Sequence, residues 1–293
     1  MNGAHRSALK NRTRRSVSIP RRLARDGQLH LLPIYCVLRL SDLAREGIDN
    51  SGSYRFADHI YVGHATGRTP LGRWIDARLL GMPAARAFRC RYQKAREIVL
   101  RSLGELPNEG LAGSDRTQPT QSSLRVLAIP CGIPRDILEV VRTLQHEPPA
   151  LLARLEYCGM DLDPQVLRLA DTLLHDSGLR EFQLHCGNAL SADDYPRGPF
   201  HLVISTGLGE FLSDNELVAF YGHIYQVLED GGLFYTSASA RGRGSDALLR
   251  IAEILPQYRG AAELEPLIRR YPWRRVTLTQ DSTGLQTFVQ AVK

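Results

Sequence analysis

The sequence predicts an α/β protein: a doubly wound, mostly parallel, seven-stranded sheet that ends in an antiparallel hairpin, with a helical segment in front of it. Three observations carry this. From residue 124 onward, short apolar runs alternate with helical runs. Short loops in that order demand right-handed crossovers and a parallel sheet covered by helices on both faces. The last two extended runs, Trp273–Gln280 and Leu285–Val292, are separated only by Asp281-Ser282-Thr283-Gly284, a hairpin turn. Ahead of residue 104 the apolar residues recur at helical spacing instead.

Taken in order, residues 1–29 are polar and basic and read as a disordered tail. Residues 30–122 read as a helical cap and linker. Leu31, Ile34, Leu38, Leu40 and Leu43 form one stripe and Tyr54, Ala57, Ile60 and Tyr61 another, with a turn at Gly67–Arg73 and a third helix over Pro83–Leu103, closed by Gly104. Residues 104–122 are rich in Gly, Pro, Ser, Thr and Gln and read as a linker. In the third segment, 123–293, strands are expected at Arg125–Ile129, Arg154–Met160, Glu181–Cys186, His201–Ser205 and Gly232–Ser237. Helices are expected at Pro134–Gln145, Pro164–Leu174, Asp214–Leu228 and Asp246–Leu255.

The 293 residues carry 37 Lys+Arg against 31 Asp+Glu, a net charge of +6. Residues 1–101 hold 20 of those cations against 7 acids, and the remainder is net acidic. The cations are nearly all Arg with few aromatics among them, which favours a solvated face over a nucleic-acid surface. No apolar run reaches the ~18 residues of a membrane span, and the Arg-rich start is followed by no clean apolar core or cleavage site. Five cysteines without a Cys-x-x-Cys pair argue against a disulfide framework or a metal site and place the chain in a reducing cytoplasm. Cys158 and Cys186, in strand-like runs, are expected in the core.

The chemistry concentrates where strands end. Val126–Ile137 (VLAIPCGIPRDI) runs from an apolar strand through a tight turn into a helix, and Gly159–Pro164 (GMDLDP) ends a second strand on acids. A turn of that kind brings backbone N–H groups close to a ligand, and a carboxylate at the end of the next strand accepts from ribose hydroxyls. Asp161 sits at that strand end. Asp163, followed by Pro164, competes for the role but fits a helix N-cap with proline at the first helical position.

With His185–Leu190 (HCGNAL) and Phe200–Asp214 (FHLVISTGLGEFLSD) following in order, residues 124–293 resemble the class I S-adenosylmethionine-dependent methyltransferases, a Rossmann-like superfamily. The resemblance implies S-adenosylmethionine as cofactor. Cys131 and Gly132 lie in the loop that meets it, and Asp161 accepts from its ribose. Asn188 contacts the adenine amino group, or alternatively forms a turn after Gly187. Ala189 and Leu190 pack on the ring, and Ser205 ends the fourth strand. The loop departs from the family pattern: Ala128 stands where an acid usually does, and Pro130 and Pro134 replace two of three glycines. Arg135 is then a candidate for holding the methionine carboxylate and Asp136 a candidate helix cap.

Methyl transfer is an in-line displacement that needs alignment more than acid–base help, so the catalytic signal is faint. Glu210, in the loop after the fourth strand, is the polar candidate near the acceptor, with a carboxylate at a helix N-terminus as its other reading. Tyr54, sharing a helical face with Asp58 and Tyr61, is a candidate face for the sulfonium or a packing residue. The loop lacks the Asn/Asp-Pro-Pro-Tyr/Phe sequence of enzymes that methylate nucleic-acid amino groups. The expectation is therefore methylation of a small molecule, with intramolecular cyclisation of S-adenosylmethionine and an RNA-directed methyltransferase as rivals.

Overall fold

A computed structural model describes residues 19–50, 53–106, 122–145, 149–241 and 256–293. The chain divides into two compact units: residues 1–89 with 241–256, and residues 90–240 with 257–293. Residues 1–18, most of the expected linker and all of the expected helix Asp246–Leu255 lie outside the described residues.

In the first unit, residues 19–25 are helical (α1) and bury Ile19 and Leu23. The expected polar tail therefore does not extend over these residues, whose apolar side chains pack with Tyr35 and Ile48. The first apolar stripe splits into α2 (Leu32–Leu38) and α3 (Asp42–Asp49). Ser41 makes the break: its side chain accepts from the Ala44 N–H and caps α3. α4 (Tyr54–Val62) is capped by Ser53, and α5 (Pro70–Leu80) by Thr69 with proline at its start. The expected turn at Gly67–Arg73 thus ends at Thr69. Asp76 of α5, fully buried, joins these pieces. Its carboxylate accepts from the Ser41 hydroxyl and from the N–H groups of Leu43 (3.2 Å), Thr66 (3.0 Å) and Gly67 (2.8 Å). α6 (Pro83–Gly104) begins in this unit. The division between units falls inside it rather than at residue 122, because Ala95, Ile98, Val99 and Leu103 are buried in the core of the sheet.

The second unit holds the seven-stranded sheet. Its strands are β1 (Leu124–Ala128), β2 (Leu155–Asp161), β3 (Phe182–Cys186), β4 (Phe200–Thr206), β5 (Leu228–Ser239), β6 (Arg275–Gln280) and β7 (Gln286–Val292), in the order β3-β2-β1-β4-β5-β7-β6. β1 to β5 are parallel and β7 runs antiparallel to both neighbours. β1, β2 and β4 are nearly continuous apolar runs because helices cover both faces. On one face α6, α7 (Arg135–Leu144) and α9 (Pro164–Asp176) set Ile98, Val140 and Leu174 against Val126, Tyr157 and Ile204. On the other, α10 (Asp214–Val227) and α11 (Ala261–Ile268) set Phe220, Ile224 and Ile268 against Leu127, Val203 and Phe234. α11 and the single turn α8 (Pro149–Leu152) are elements that periodicity missed.

The closing hairpin forms where expected. The Asp281 carboxylate accepts from the N–H groups of Thr283, Leu285 and Gln286 at 2.9–3.1 Å and sets the turn. Cys158 is buried, but Cys186 is exposed, since β3 is the sheet edge and Cys186 is its last residue. His201 is structural: its Nδ1 accepts from the Arg125 N–H at 3.0 Å, an edge-free link at the start of β1.

Replacing Asp76 by Ala strands the Ser41 hydroxyl and three backbone N–H groups in the interior. We expect a loss on the order of 3 kcal/mol, read as a lower midpoint in chemical denaturation of the full chain, with Asp76→Asn losing less.

Candidate functional site

The site lies at the carboxyl edge of β1, β2 and β4, where open parallel sheets bind ligands. β1 and β2 are paired in register, Ala128 beside Gly159, so the loop after β1 stands next to the end of β2. Within that loop Gly132 has φ +53° and open space where a Cβ would stand. In this left-handed conformation its N–H donates to Asp161 Oδ2 at 3.0 Å. Asp161 Oδ1 accepts from the Asp163 N–H at 3.0 Å, and Asp163 in turn caps α9 through the Gln165 N–H at 2.9 Å. The two acids thus divide as expected: Asp163 is the N-cap, and Asp161 holds the loop and faces the edge. Burial raises the Asp161 carboxyl above its usual range, against the pull of the Asp163 and Gly132 N–H groups.

Cys131 is buried, its N–H on the Met160 carbonyl at 2.9 Å. Burial, then the charges of Asp161 and Asp136, pushes its thiol well up, so it is a neutral packing group in the loop and not a nucleophile. α7 begins with Pro134 as N-cap and no side-chain cap. Arg135 opens the helix. Asp136 does not cap in the expected way: its Oδ1 accepts from the adjacent Ile137 N–H at 2.9 Å. The Asp136 carboxyl is half-buried, and burial pushes it up to about 6. Tyr157 on β2 is buried with a hydroxyl that has no hydrogen-bond partner, and it feels the charges of Asp136 and Asp161. This group of residues was not visible as a set in the sequence. The only signal was Asp136 next to a loop that had lost its acid.

At the far side of β2, Asn188 forms the turn after β3. Its Oδ1 accepts from the Leu190 N–H at 3.0 Å and its own N–H donates to Asp194 Oδ2 at 2.8 Å. One lone pair of the carbonyl oxygen expected to meet an adenine amino group is therefore engaged in the turn, and the exposed side chain also presents its amide N–H₂. Ala189 and Leu190 are half-buried against the face lined by Met160 and Leu212. Ser205, in β4, is 1% exposed with an unpartnered Oγ.

After β4 the chain turns at Gly207, φ +90°, and enters a short 3-10 turn, Gly209–Phe211. Glu210 is 6% exposed. Its Oε1 meets Arg91 of α6 at 3.3 Å and accepts from the Ser239 hydroxyl at 2.6 Å, which itself accepts from Gln286 Nε2 at 2.7 Å. A Cβ on Gly207 would stand 2.9 Å from the Arg91 guanidinium, so glycine is required there both for φ and for space. Arg259 fastens the same loop from the other side, donating to the Gly209 and Leu212 carbonyls at 2.7 Å and pairing with Asp214. Neither arginine was singled out in the sequence, since each meets its partner only in the folded sheet. Tyr54 belongs to the first unit, where its hydroxyl accepts from Arg55 Nε at 3.3 Å. Among the described residues no cluster of His, Cys, Asp and Glu is placed to hold a metal, and no helix is long and apolar enough to cross a membrane.

Comparison with known proteins agrees with this architecture. A family model described as "Putative methyltransferase" matches residues 34–291. Among solved structures, a possible exported protein from Bordetella parapertussis superposes with a TM-score of 0.74 at 19% identity, covering 100% of this chain and 99% of that one. The S-adenosylmethionine-dependent methyltransferase SibL, in its apo form, gives 0.53 at 15% identity, covering 92% and 76%. Magnesium protoporphyrin IX methyltransferase from Synechocystis PCC 6803, with bound S-adenosylhomocysteine, gives 0.53 at 14% identity, covering 86% and 100%. At these identities the likeness is one of fold. No curated protein matches the chain.

Two outcomes follow from the buried charges. Arg91→Leu leaves Glu210 buried without its cation and should cost about 3–5 kcal/mol in denaturant unfolding, whereas Arg91→Leu combined with Glu210→Gln should recover much of it. Because the folded Asp136 carboxyl binds its proton more tightly than the unfolded one, stability falls as pH rises from about 4 to about 6 and stays lower above that. Asp136→Asn should therefore stabilise the ligand-free chain at pH 7.5, by up to about 2 kcal/mol. The gain should vanish in melts near pH 4.

Proposed function

The chain belongs to this methyltransferase family, whose members transfer one-carbon groups, and from that premise we propose that it is a cytoplasmic, S-adenosylmethionine-dependent methyltransferase acting on a small molecule. The single observation that carries the cofactor is the junction of Gly132 and Asp161, a left-handed loop bonded to a strand-end carboxylate at the ligand edge of a parallel sheet. The residues present fit the group. The open space at Gly132 admits a nucleoside close to the backbone. Asp161 and Asp136 are carboxylates near a cationic ligand's place, and the orphaned Tyr157 hydroxyl awaits a polar partner.

When bound, S-adenosylmethionine supplies a methyl group on a sulfonium sulfur. The chain's own residues bind and orient. Asp161 keeps free lone pairs on both oxygens for ribose hydroxyls, with its direction already set by two N–H donors. Ala189 and Leu190 offer an apolar surface to the adenine ring, and Asn188 Oδ1, oriented by the Leu190 N–H, keeps a second lone pair for the adenine amino group. Cys131 and Ser205 line the strand ends as small, neutral groups. Glu210 holds the loop after β4 through Arg91 and Ser239, which leaves Oε2 as the atom available toward an acceptor. Arg135, at the first position of α7, is the proposed cation for the methionine carboxylate, and Tyr54, in the first unit, is the proposed aromatic face for the sulfonium. The expected role of residues 30–122 as a cap belongs to the same proposal.

Support for a small-molecule acceptor comes from the absence of the Asn/Asp-Pro-Pro-Tyr/Phe sequence after β4 and from a solved neighbour named for magnesium protoporphyrin IX. The cytoplasm is proposed from the odd number of cysteines.

Calorimetry should show S-adenosylmethionine binding to the full chain, weakened about tenfold or more in Asp161→Ala. Incubation with methyl-labelled S-adenosylmethionine and a protein-free small-molecule extract should yield S-adenosylhomocysteine and a labelled small product. No binding sinks the cofactor assignment. Methylthioadenosine as the product replaces methyl transfer by attack on the aminopropyl chain, and label in RNA replaces the small-molecule acceptor.

A further inference from the structure

The loop around Gly132 holds two carboxylates, Asp161 and Asp136, for which no ion pair with a described residue is formed. Asp136 is half-buried in the first turn of α7, and no cationic side chain pairs with it among the described residues. One of its oxygens takes the Ile137 N–H; no other side chain spends its charge. Burying a carboxylate without a cation is costly. Folding tolerates it here with the proton held more tightly, a consequence of burial that a cation placed beside the carboxylate would reverse.

The groups that face Asp136 are acidic or neutral. They are the Cys131 thiol in the loop and the Tyr157 hydroxyl on β2, each felt by its charge, with Asp161 acting on the same two groups. Arg135 precedes it in the chain, and burial and backbone N–H groups alone account for its shift. Tyr157 provides the independent observation. It is 2% exposed, its hydroxyl has no partner, and it lies close enough to Asp136 to feel its charge. At the position where the strand itself could offer an acid, β1 ends in Ala128, which is buried in the core.

We infer that Asp136 receives the ammonium of the amino-acid part of the cofactor, doing from the first turn of α7 what the end of β1 no longer does. The inference rests on the cofactor proposed above and adds to it a residue for the end opposite the ribose. It gives the two acids separate duties: Asp161 serves the nucleoside and Asp136 the amino acid. It also makes binding pH-dependent. With the free carboxyl near 6, binding of an ammonium at pH 6 must drive a proton off Asp136, and affinity for an amino-acid-bearing ligand must fall as pH drops below 6.

The test uses two ligands that share the nucleoside and the sulfur. S-adenosylhomocysteine carries the amino-acid chain and 5′-methylthioadenosine does not. Calorimetry of the full-length wild type should show S-adenosylhomocysteine losing affinity relative to methylthioadenosine between pH 7.5 and 5.5, with proton release near pH 6 revealed by buffers of different ionisation heat. Asp136→Asn should weaken S-adenosylhomocysteine about tenfold or more, change methylthioadenosine less than about twofold, and abolish the pH effect on their ratio; Asp161→Ala should weaken both. If Asp136→Asn weakens neither, or both equally, or if the wild-type ratio does not change with pH, Asp136 is not the ammonium site while the cofactor assignment stands. The wild-type pH series decides the matter even if the variant does not fold. If the wild type binds neither compound, the cofactor assignment fails and this inference fails with it.

Discussion

One hydrogen bond organises the ligand edge of this protein: the Gly132 N–H on Asp161 Oδ2. It joins the loop after β1 to the end of β2, two strands whose parallel register already places them side by side. The bond exists because Gly132 adopts a left-handed φ that other residues resist. Because the second oxygen is held by the Asp163 N–H, the carboxylate is oriented before any ligand arrives. Preorganisation of this kind lowers the ordering cost of binding. Asp163 then starts α9, so the strand end, the loop and the helix behind them share one chain of contacts.

The other side of the edge is built from charges that compensate each other. Arg91 from α6 and Arg259 after β5 hold the loop that follows β4, one through the Glu210 carboxylate and one through backbone carbonyls. The site therefore has two electrostatic characters. Toward β1 and β2 the acids Asp161 and Asp136 form no ion pair with a described residue; toward β4 and β5 Glu210 and Arg259 each have their partner. The chain as a whole carries +6, and that figure says little about the site, because the excess of cations lies in residues 1–101 while the sheet that carries these acids is in the net-acidic remainder. Local burial and pairing decide which charges a ligand meets.

Much of the sheet was legible because its signals are local. Alternation of apolar runs with helical runs, proline after Asp163 and the Asp281–Gly284 turn each act within a few residues. The same locality explains the misreadings. Cys186 looks like core until β3 is known to be the outer strand. Residues 19–25 look like a polar tail because two buried side chains among many arginines leave little pattern. Glu210 reads in sequence as a polar group near the acceptor or a carboxylate at a helix start, and its partner Arg91, 119 residues earlier, gives no local signal.

By itself, then, the sequence determined the order of elements, the hairpin that closes the sheet and Asp163 as the cap of α9, since each follows from spacing, capping and turn chemistry along the chain. Tertiary structure alone decided which charges are balanced. Whether Glu210 is bound by Arg91, and whether Asp136 is left without a cation, depends on which distant side chains the packed sheet brings within a few ångströms, and on how much water remains around them.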